Sequence, residues 1–319
     1  MNQSNNIVFS MNDVVLNRLK LRPLMIFDQV MQHHSIAHAA RALNLTQPAV
    51  TKAIKELEDQ LNTILFIRTN RGVTPTACGF LLGHRVNAVL AELRHLTDEL
   101  NTFKGGETGH VVVGTLISAS ARLLPQAIIL MKKSAPNVLI TVRVGTVDQL
   151  FPALAMGALD LVVGRIPDQD LPIIRNFPLI HEIFYQEKLC LVVGKNHPLT
   201  LKKTLTYKDL AGHAWILPPP ESPTRLIASH FFRTINLPEP SNVIESLSLM
   251  TNINLMMDGD WIGLMSTVAV SRFVTAGLLT VLPFGEVGEY VDVGVSYRDN
   301  KNLSPACLQF IKCLKNSSE

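Results

Sequence analysis

The sequence predicts a mixed α/β protein in three consecutive parts: a small helical unit closed by a β-hairpin, one long helix, and a two-lobed α/β body. Three observations carry that prediction. Apolar spacing is helical from Leu16 to Thr76 and again over 77–103, whereas after His110 short apolar strands alternate with helices. A glycine-rich stretch, "KGGETGH", separates the two regimes as a hinge. Basic charge collects at one end: eight Lys/Arg stand against four Asp/Glu between Arg18 and Thr76, an excess of +4 in a chain of net charge +3. A basic N-terminal fifth on a near-neutral body suits a compact nucleic-acid module. At 319 residues, 47% of them apolar, the chain is too long for one ordinary core and rich enough to bury several.

The parts are expected at 16–76, 77–105 and 106–319, after an extension over 1–15 expected to be disordered. In the first part, Leu24, Phe27, Val30 and Met31 fall at helical spacing. Ser35 is a good N-cap for "IAHAARAL", and Ala39 and Ala40 are small enough for a close helix crossing. After the short turn "NL", Thr46 caps a third helix with Pro48 in its first turn, where the missing N–H costs little. Its inner face is Val50, Ile54, Leu57 and Leu61. "TILFIRTNRGVTPT" then reads as a hairpin with Arg68 and Arg71 near its tip.

Residues 77–103 form one helical pattern, with Leu82, Val86, Val89, Leu93, Leu96 and Leu100 in a stripe. Such a stripe is covered either by its own domain or by a partner helix, which makes it a dimerisation candidate. The body reads as lobe I over 110–180 completed by 287–319, and lobe II over 181–286, with a cleft between them. In open α/β sheets ligands sit at the carboxyl ends of strands.

A helix, a short turn and a second helix with polar residues in its first turn make a helix-turn-helix. The second helix fits a major groove, where Gln47 can pair bidentately with adenine and Thr51 can reach a base edge or phosphate. Ser35, Lys52 and Lys55 suit phosphates, and Arg68 and Arg71 suit a backbone or minor groove. Any one such residue alone is more often just solvated; the constellation is what points to DNA. His34 and His38 give HxxxH without the glutamate or third ligand of a metalloprotease, so they read as polar residues around an N-cap. No GxSxG, Walker A or GxGxxG occurs and no catalytic set is visible, so neither an enzyme nor a cofactor is expected. Cys78, Cys190, Cys307 and Cys313 form no CxxC and fit reduced thiols of a cytoplasmic protein. No signal peptide is visible, and no run of about 18 apolar residues suggests a membrane span.

"FDQVMQHHSIAHAARALNLTQPAVTKAIKELEDQLNTILFIRTNRGVTPTACG" strongly resembles the winged helix-turn-helix of LysR-type transcriptional regulators. The segments "VVVGTLISASARLLPQAI", "LDLVVGR" and "MMDGDWIGLMS" are similar, less specifically, to the family's effector domain. The resemblance implies a periplasmic-binding-protein-like two-lobed effector domain after a linker helix. It places DNA contacts on Ser35, Thr46, Gln47, Pro48, Thr51, Lys52, Arg68 and Arg71. It places effector contacts on Thr115, Leu116, Ser118, Thr146, Arg165, Pro218, Arg225 and Ser246. "LPPPESPTR" at 217–225 is similar to the subgroup of sugar-binding-protein regulators. Arg122, Arg165 and Arg225 suit a carboxylate or sulfonate, or else ordinary salt bridges. The implied partners are double-stranded DNA, an anionic or sugar-like effector, a homodimer or homotetramer, and RNA polymerase when activating. Two departures stand out: His34 and Asn62 replace common glycines, so the turn at Asn62 must hold a left-handed asparagine. The competing reading is a ligand-binding protein whose N-terminal segment only oligomerises.

Overall fold

Ser35 and Thr46 begin two helices in the same way. Each is extended, and each side-chain oxygen accepts from the backbone N–H three residues on, His38 at 3.3 Å and Ala49 at 3.4 Å. These caps define α2 (Ile36–Ala42) and α3 (Gln47–Leu61), which follow α1 (Leu21–His33). The computed structural model describes residues 19–69, 72–103, 108–167, 179–220, 222–299 and 303–318. The expected extension, the hinge residues 104–107 and Arg71 lie outside them.

The chain divides into two compact units, with the break inside a long helix between Thr97 and Asp98. In the N-terminal unit, Leu24, Phe27 and Val30 of α1, Ala39 and Ala40 of α2, and Val50, Ile54 and Leu57 of α3 form the core. Phe27 is fully buried, worth about 1.5–3 kcal/mol relative to exposure, and its ring lies 5.2 Å from that of Phe66. Three connections need left-handed backbone, at His34 (φ 49°), Asn44 (φ 53°) and Asn62 (φ 47°). The hairpin strands are β1 (Phe66–Thr69) and β2 (Gly72–Pro75), antiparallel with Arg68 opposite Val73. α4 (Ala77–Phe103) follows. Its early stripe packs inward at Leu82 and Val86, while Val89, Leu93, Leu96 and Leu100 are exposed.

The C-terminal unit is built on one sheet. Its strands are β3 (Gly109–Thr115), β4 (Val138–Val144), β5 (Leu161–Arg165), β6 (Leu179–Gly194), β7 (Ala214–Leu217), β8 (Val243–Glu245), β9 (Trp261–Ser266) and β10 (Leu279–Arg298). They hydrogen-bond in the order β4-β3-β5-β10-β6-β9-β7-β8. The helices are α5 (Ile117–Ser120), α6 (Leu123–Ser134), α7 (Val147–Ala155), α8 (Pro223–Thr234), α9 (Leu249–Asp258), α10 (Thr267–Thr275) and α11 (Pro305–Ser318). α6 and α11 cover one face of the first lobe through Leu123, Ala127, Met131, Phe310 and Leu314; α7 covers the other through Leu150, Phe151 and Leu154.

Two lobes share this sheet because β6 and β10 are long enough to serve both. The sequence suggests a strand beginning only at Lys188, with lobe II starting at 181. The observed strand begins at Leu179, and its first half belongs with the first lobe, paired to β10 from Leu179↔Arg298 to Tyr185↔Val293. The change of lobe falls near Glu187–Leu189. Polar residues in "HEIFYQEK" hide the first half from a search for continuous apolar strands, since this stretch is only half-buried.

Candidate functional site

α3 shows two sides with different chemistry. Val50, Ile54 and Leu57 are buried, whereas Thr46, Gln47, Pro48, Lys52 and Lys55 are exposed and Thr51 is half-buried. Capping uses the hydroxyl oxygens of Ser35 and Thr46 as acceptors only, so each O–H proton is left to donate to a phosphate. Lys52 lies 3.7 Å from Glu56, with side chains 78% and 55% exposed, a solvated pair that holds the lysine only weakly. Arg68 stands on β1; its side chain and all of Arg71 fall outside the described atoms.

The hairpin is fastened at two places. Glu58 Oε1 accepts from the backbone N–H of Leu65 at 2.7 Å and of Phe66 at 3.2 Å. The N–H of Val73 donates to the carbonyl of His34 at 3.1 Å, and a Cβ at Gly72 (φ 133°) would lie 2.5 Å from that oxygen. The left-handed turn before α2 is thus a docking point for β2. The sequence presents Glu58 as one more outward charge; its carboxylate instead ties the hairpin to α3. The signal was its place one helical turn before Leu61, ahead of a turn with unpaired N–H groups.

In the C-terminal unit, β6 runs from the first lobe to the second. β5 is antiparallel to β10 and so runs with β6, toward the crossing; β9 is antiparallel to β6 and runs toward it from the other side. β3 and β4 follow β5, and β7 and β8 follow β9. The carboxyl ends of both strand triplets therefore point at the crossing, the arrangement of a ligand cleft. Thr115 ends β3 and Leu116 and Ser118 follow it, Thr146 follows β4, and Arg165 ends β5. Pro218 follows β7 and Ser246 follows β8, while Arg225 lies in the first turn of α8.

Their bonding differs. The Thr115 hydroxyl donates to the Leu116 carbonyl at 3.0 Å. The Thr146 N–H donates to Gln149 Oε1 at 3.2 Å, and the Thr146 hydroxyl is buried with no partner among the described residues. Arg225 bonds Glu245 at 3.1 Å, Glu239 at 3.4 Å and the Pro218 carbonyl at 3.0 Å, so its charge is already met. Arg225 also holds Glu239, after a hydrogen bond from Ser229, below the ordinary carboxylate range. The Ser246 hydroxyl accepts from Ser248 N–H at 3.1 Å. Asn252, buried in the first turn of α9, donates to the Ser246 carbonyl at 3.4 Å, and its Oδ1 has no partner among the described residues. The Ser118 side chain is not described.

The crossing adds residues that the sequence did not single out. Glu187 is buried and accepts from the Ser266 hydroxyl at 2.7 Å, the same oxygen that caps α10. Beside it, the Tyr185 phenol is pushed up to about 12 by burial and by Glu187, against the pull of Arg122. The trace in the sequence was "YQEK", charged residues immediately before an apolar strand.

Comparison with known proteins agrees with this geometry. Residues 21–80 match the model of the bacterial regulatory helix-turn-helix of the lysR family, and residues 104–319 match that of the LysR substrate binding domain. The chain is 30% identical over 312 residues to the HTH-type transcriptional regulator GbpR of Azospirillum brasilense, covering 98% of this chain and 90% of that one. It is 29% identical over 294 residues to the HTH-type transcriptional regulator GalR of Pseudomonas putida, covering 92% and 73%. Its fold is similar to a full-length OxyR variant from Pseudomonas aeruginosa, with TM-score 0.68, 21% identity and coverage of 94% and 95%. It is also similar to full-length CbnR complexed with its target DNA, with TM-score 0.63, 20% identity and coverage of 94% and 100%. With both domains matched and a relative aligned over nearly its whole length, this chain belongs to the LysR family and is a DNA-binding transcription regulator with an effector-binding domain.

Proposed function

We propose that the protein reads a specific promoter sequence through the first turn of α3 and adjusts its output to a small, sugar-like molecule in the inter-lobe cleft. The observation that carries the DNA reading is the division of α3: one buried apolar side, and one exposed side holding Thr46, Gln47, Pro48, Thr51 and Lys52. Ser35 adds a phosphate contact, and Arg68 and Arg71 add contacts from the hairpin. A sugar-like effector fits better than an anionic one because Arg225 is compensated by two glutamates, while uncharged groups, the Thr146 hydroxyl and the Asn252 carbonyl oxygen, lack partners among the described residues. Thr115, Leu116, Ser118, Arg165, Pro218 and Ser246 complete the proposed site. The exposed half of the α4 stripe supports a homodimer, and a dimer of dimers is the working assembly. It acts in the cytoplasm and engages RNA polymerase when activating; four cysteines without a disulfide among the described residues suit that compartment.

The test is a salt titration of the full-length protein on its own upstream region and on random DNA. Gln47→Ala is expected to cost roughly 1–3 kcal/mol on the specific site and little on random DNA. Equal affinity for both DNAs across the titration would leave the protein a ligand binder with an oligomerisation module.

A further inference from the structure

An open cavity of 460 Å³ lies between helices of different lobes, and none of the proposed cleft residues lines it. α6 of the first lobe contributes Arg122 and Gln126, one helical turn apart. Ser271, Arg272, Thr275 and Ala276, from α10 of the second lobe and the residue after it, form the other side. The lining holds two guanidiniums, an amide and two hydroxyls, and no carboxylate. Among the described residues, neither Arg122 nor Arg272 forms an ion pair. This is unlike Arg225, whose charge is met twice over. The hydroxyls of Ser271 and Thr275 donate to backbone carbonyls within α10, so their remaining capacity is to accept; the guanidiniums and the Gln126 amide are the donors that face the cavity.

Arg122 and Arg272 are exposed like charges on opposite walls, and no carboxylate of the lining offsets them. A small oxyanion reverses the sign: each guanidinium donates two parallel N–H bonds to one pair of oxygens, and the repulsion becomes a bridge. We propose that this cavity is a second ligand site, for a small oxyanion of phosphate type, held by Arg122 from one lobe and Arg272 from the other. Because its walls belong to different lobes, occupancy favours the arrangement in which α6 and α10 approach. The anion and the cleft ligand then alter each other's affinity by the same factor. The proposal stands apart from the sugar-like effector and does not need it.

The experiment uses full-length protein and inorganic phosphate, with sodium chloride at matched ionic strength as the control. Calorimetric titration is expected to show phosphate binding that chloride does not reproduce. Arg122→Gln and Arg272→Gln each weaken it roughly ten-fold or more, and the double variant abolishes it. Thr146→Ala, in the cleft, leaves phosphate binding unchanged, so failure of the effector reading is seen separately. The glutamine variants are expected to melt no lower than the parent without phosphate, since each removes a repelled charge. Hydrogen exchange is expected to slow in α6 and α10 together when phosphate is added. Three results overturn the proposal: phosphate acts no differently from chloride; the double variant binds like the parent; or protection of α6 and α10 follows protein concentration and ignores phosphate, which assigns the cavity to contact between copies of the chain.

Discussion

The two units handle polar groups in opposite ways. In the N-terminal unit, the hydroxyls at the starts of α2 and α3 cap backbone N–H groups and still offer a proton outward. In the C-terminal unit, polar groups near the strand ends are turned on one another: Arg225 on Glu239 and Glu245, Ser266 on Glu187, Asn252 on Ser246. On the proposed reading, the first pattern is a surface ready for a partner's phosphates and base edges. On the same reading, the second is a set of internal bonds that a ligand would exchange, and such exchange turns binding energy into a shift between conformations. One unit is made to read, the other to respond.

The largest expected effect tests whether the responding unit depends on its shared strands. A Cβ at Gly294 of β10 would lie 1.9 Å from the Glu182 carbonyl of β6. Gly294→Ala should destabilise that unit by about 3 kcal/mol, read by urea unfolding of the tryptophans, Trp215 and Trp261, which both lie there. DNA-independent helicity of the N-terminal unit should persist in the same titration.

Next comes the reading unit. Glu58→Ala leaves the N–H groups of Leu65 and Phe66 without their acceptor, at a cost of about 1–3 kcal/mol. Amide exchange at those two residues should quicken, and DNA affinity should fall for specific and random sequences alike. Unchanged exchange would mean that water replaces the carboxylate fully.

A pH series tests the C-terminal unit. Burial, then the charge of neighbouring His213, lowers His197 below its ordinary 6.5, against the opposing influence of Asp260. Its Nδ1 also accepts from Leu199 N–H at 3.1 Å, a bond that a protonated ring cannot make. The unfolded chain therefore binds the proton more readily. Stability of the C-terminal unit is full above about pH 6.5 and declines as pH falls from there through the lower folded value. Burial lowers His181 in the same direction. Melting curves from pH 5 to 8 on parent and His197→Asn should show a weaker decline in the variant, whose amide oxygen replaces Nδ1.

The smallest effect concerns the turn at His34. A histidine in left-handed backbone is strained, and glycine is not. His34→Gly should raise stability of the N-terminal unit by about 0.5–1 kcal/mol, the strain relief being partly offset by unfolded-state entropy. A lower melting temperature would show that the histidine side chain contributes more than its backbone costs.

Much of this was legible beforehand, for definable reasons. The packing faces of α1 and α3 follow from spacing because each helix buries one side only. Asn62 was expected in left-handed backbone from the glycine it replaces, and it adopts φ 47°. Strands such as "VVVG" and "WIGLMS" were visible because they are buried on both faces. The first half of β6 was not, since its polar residues find partners distant in sequence: Glu182 bonds Tyr297 at 2.5 Å and Lys315 at 2.6 Å. Arg225 illustrates the same limit. A cation at a helix start reads as a ligand hook, and only folding brings Glu239 and Glu245 to it. Spacing encodes what lies on one helix or strand; pairing between separate elements is written only in three dimensions.

The shared strands also have a mechanical meaning. Near the crossing, Glu187 and Leu189 of β6, two residues apart, face Val291 and Val287 of β10, four residues apart. Over this stretch the surplus lies on β10, whereas just before it Phe184 of β6 is the extra residue opposite Val293 and Gly294. Between those pairs β6 is the shorter member and β10 holds the slack. Gly288, left-handed at φ 80°, lies within that slack. Stiffening it would not break the hinge; it would set how far the regulator opens.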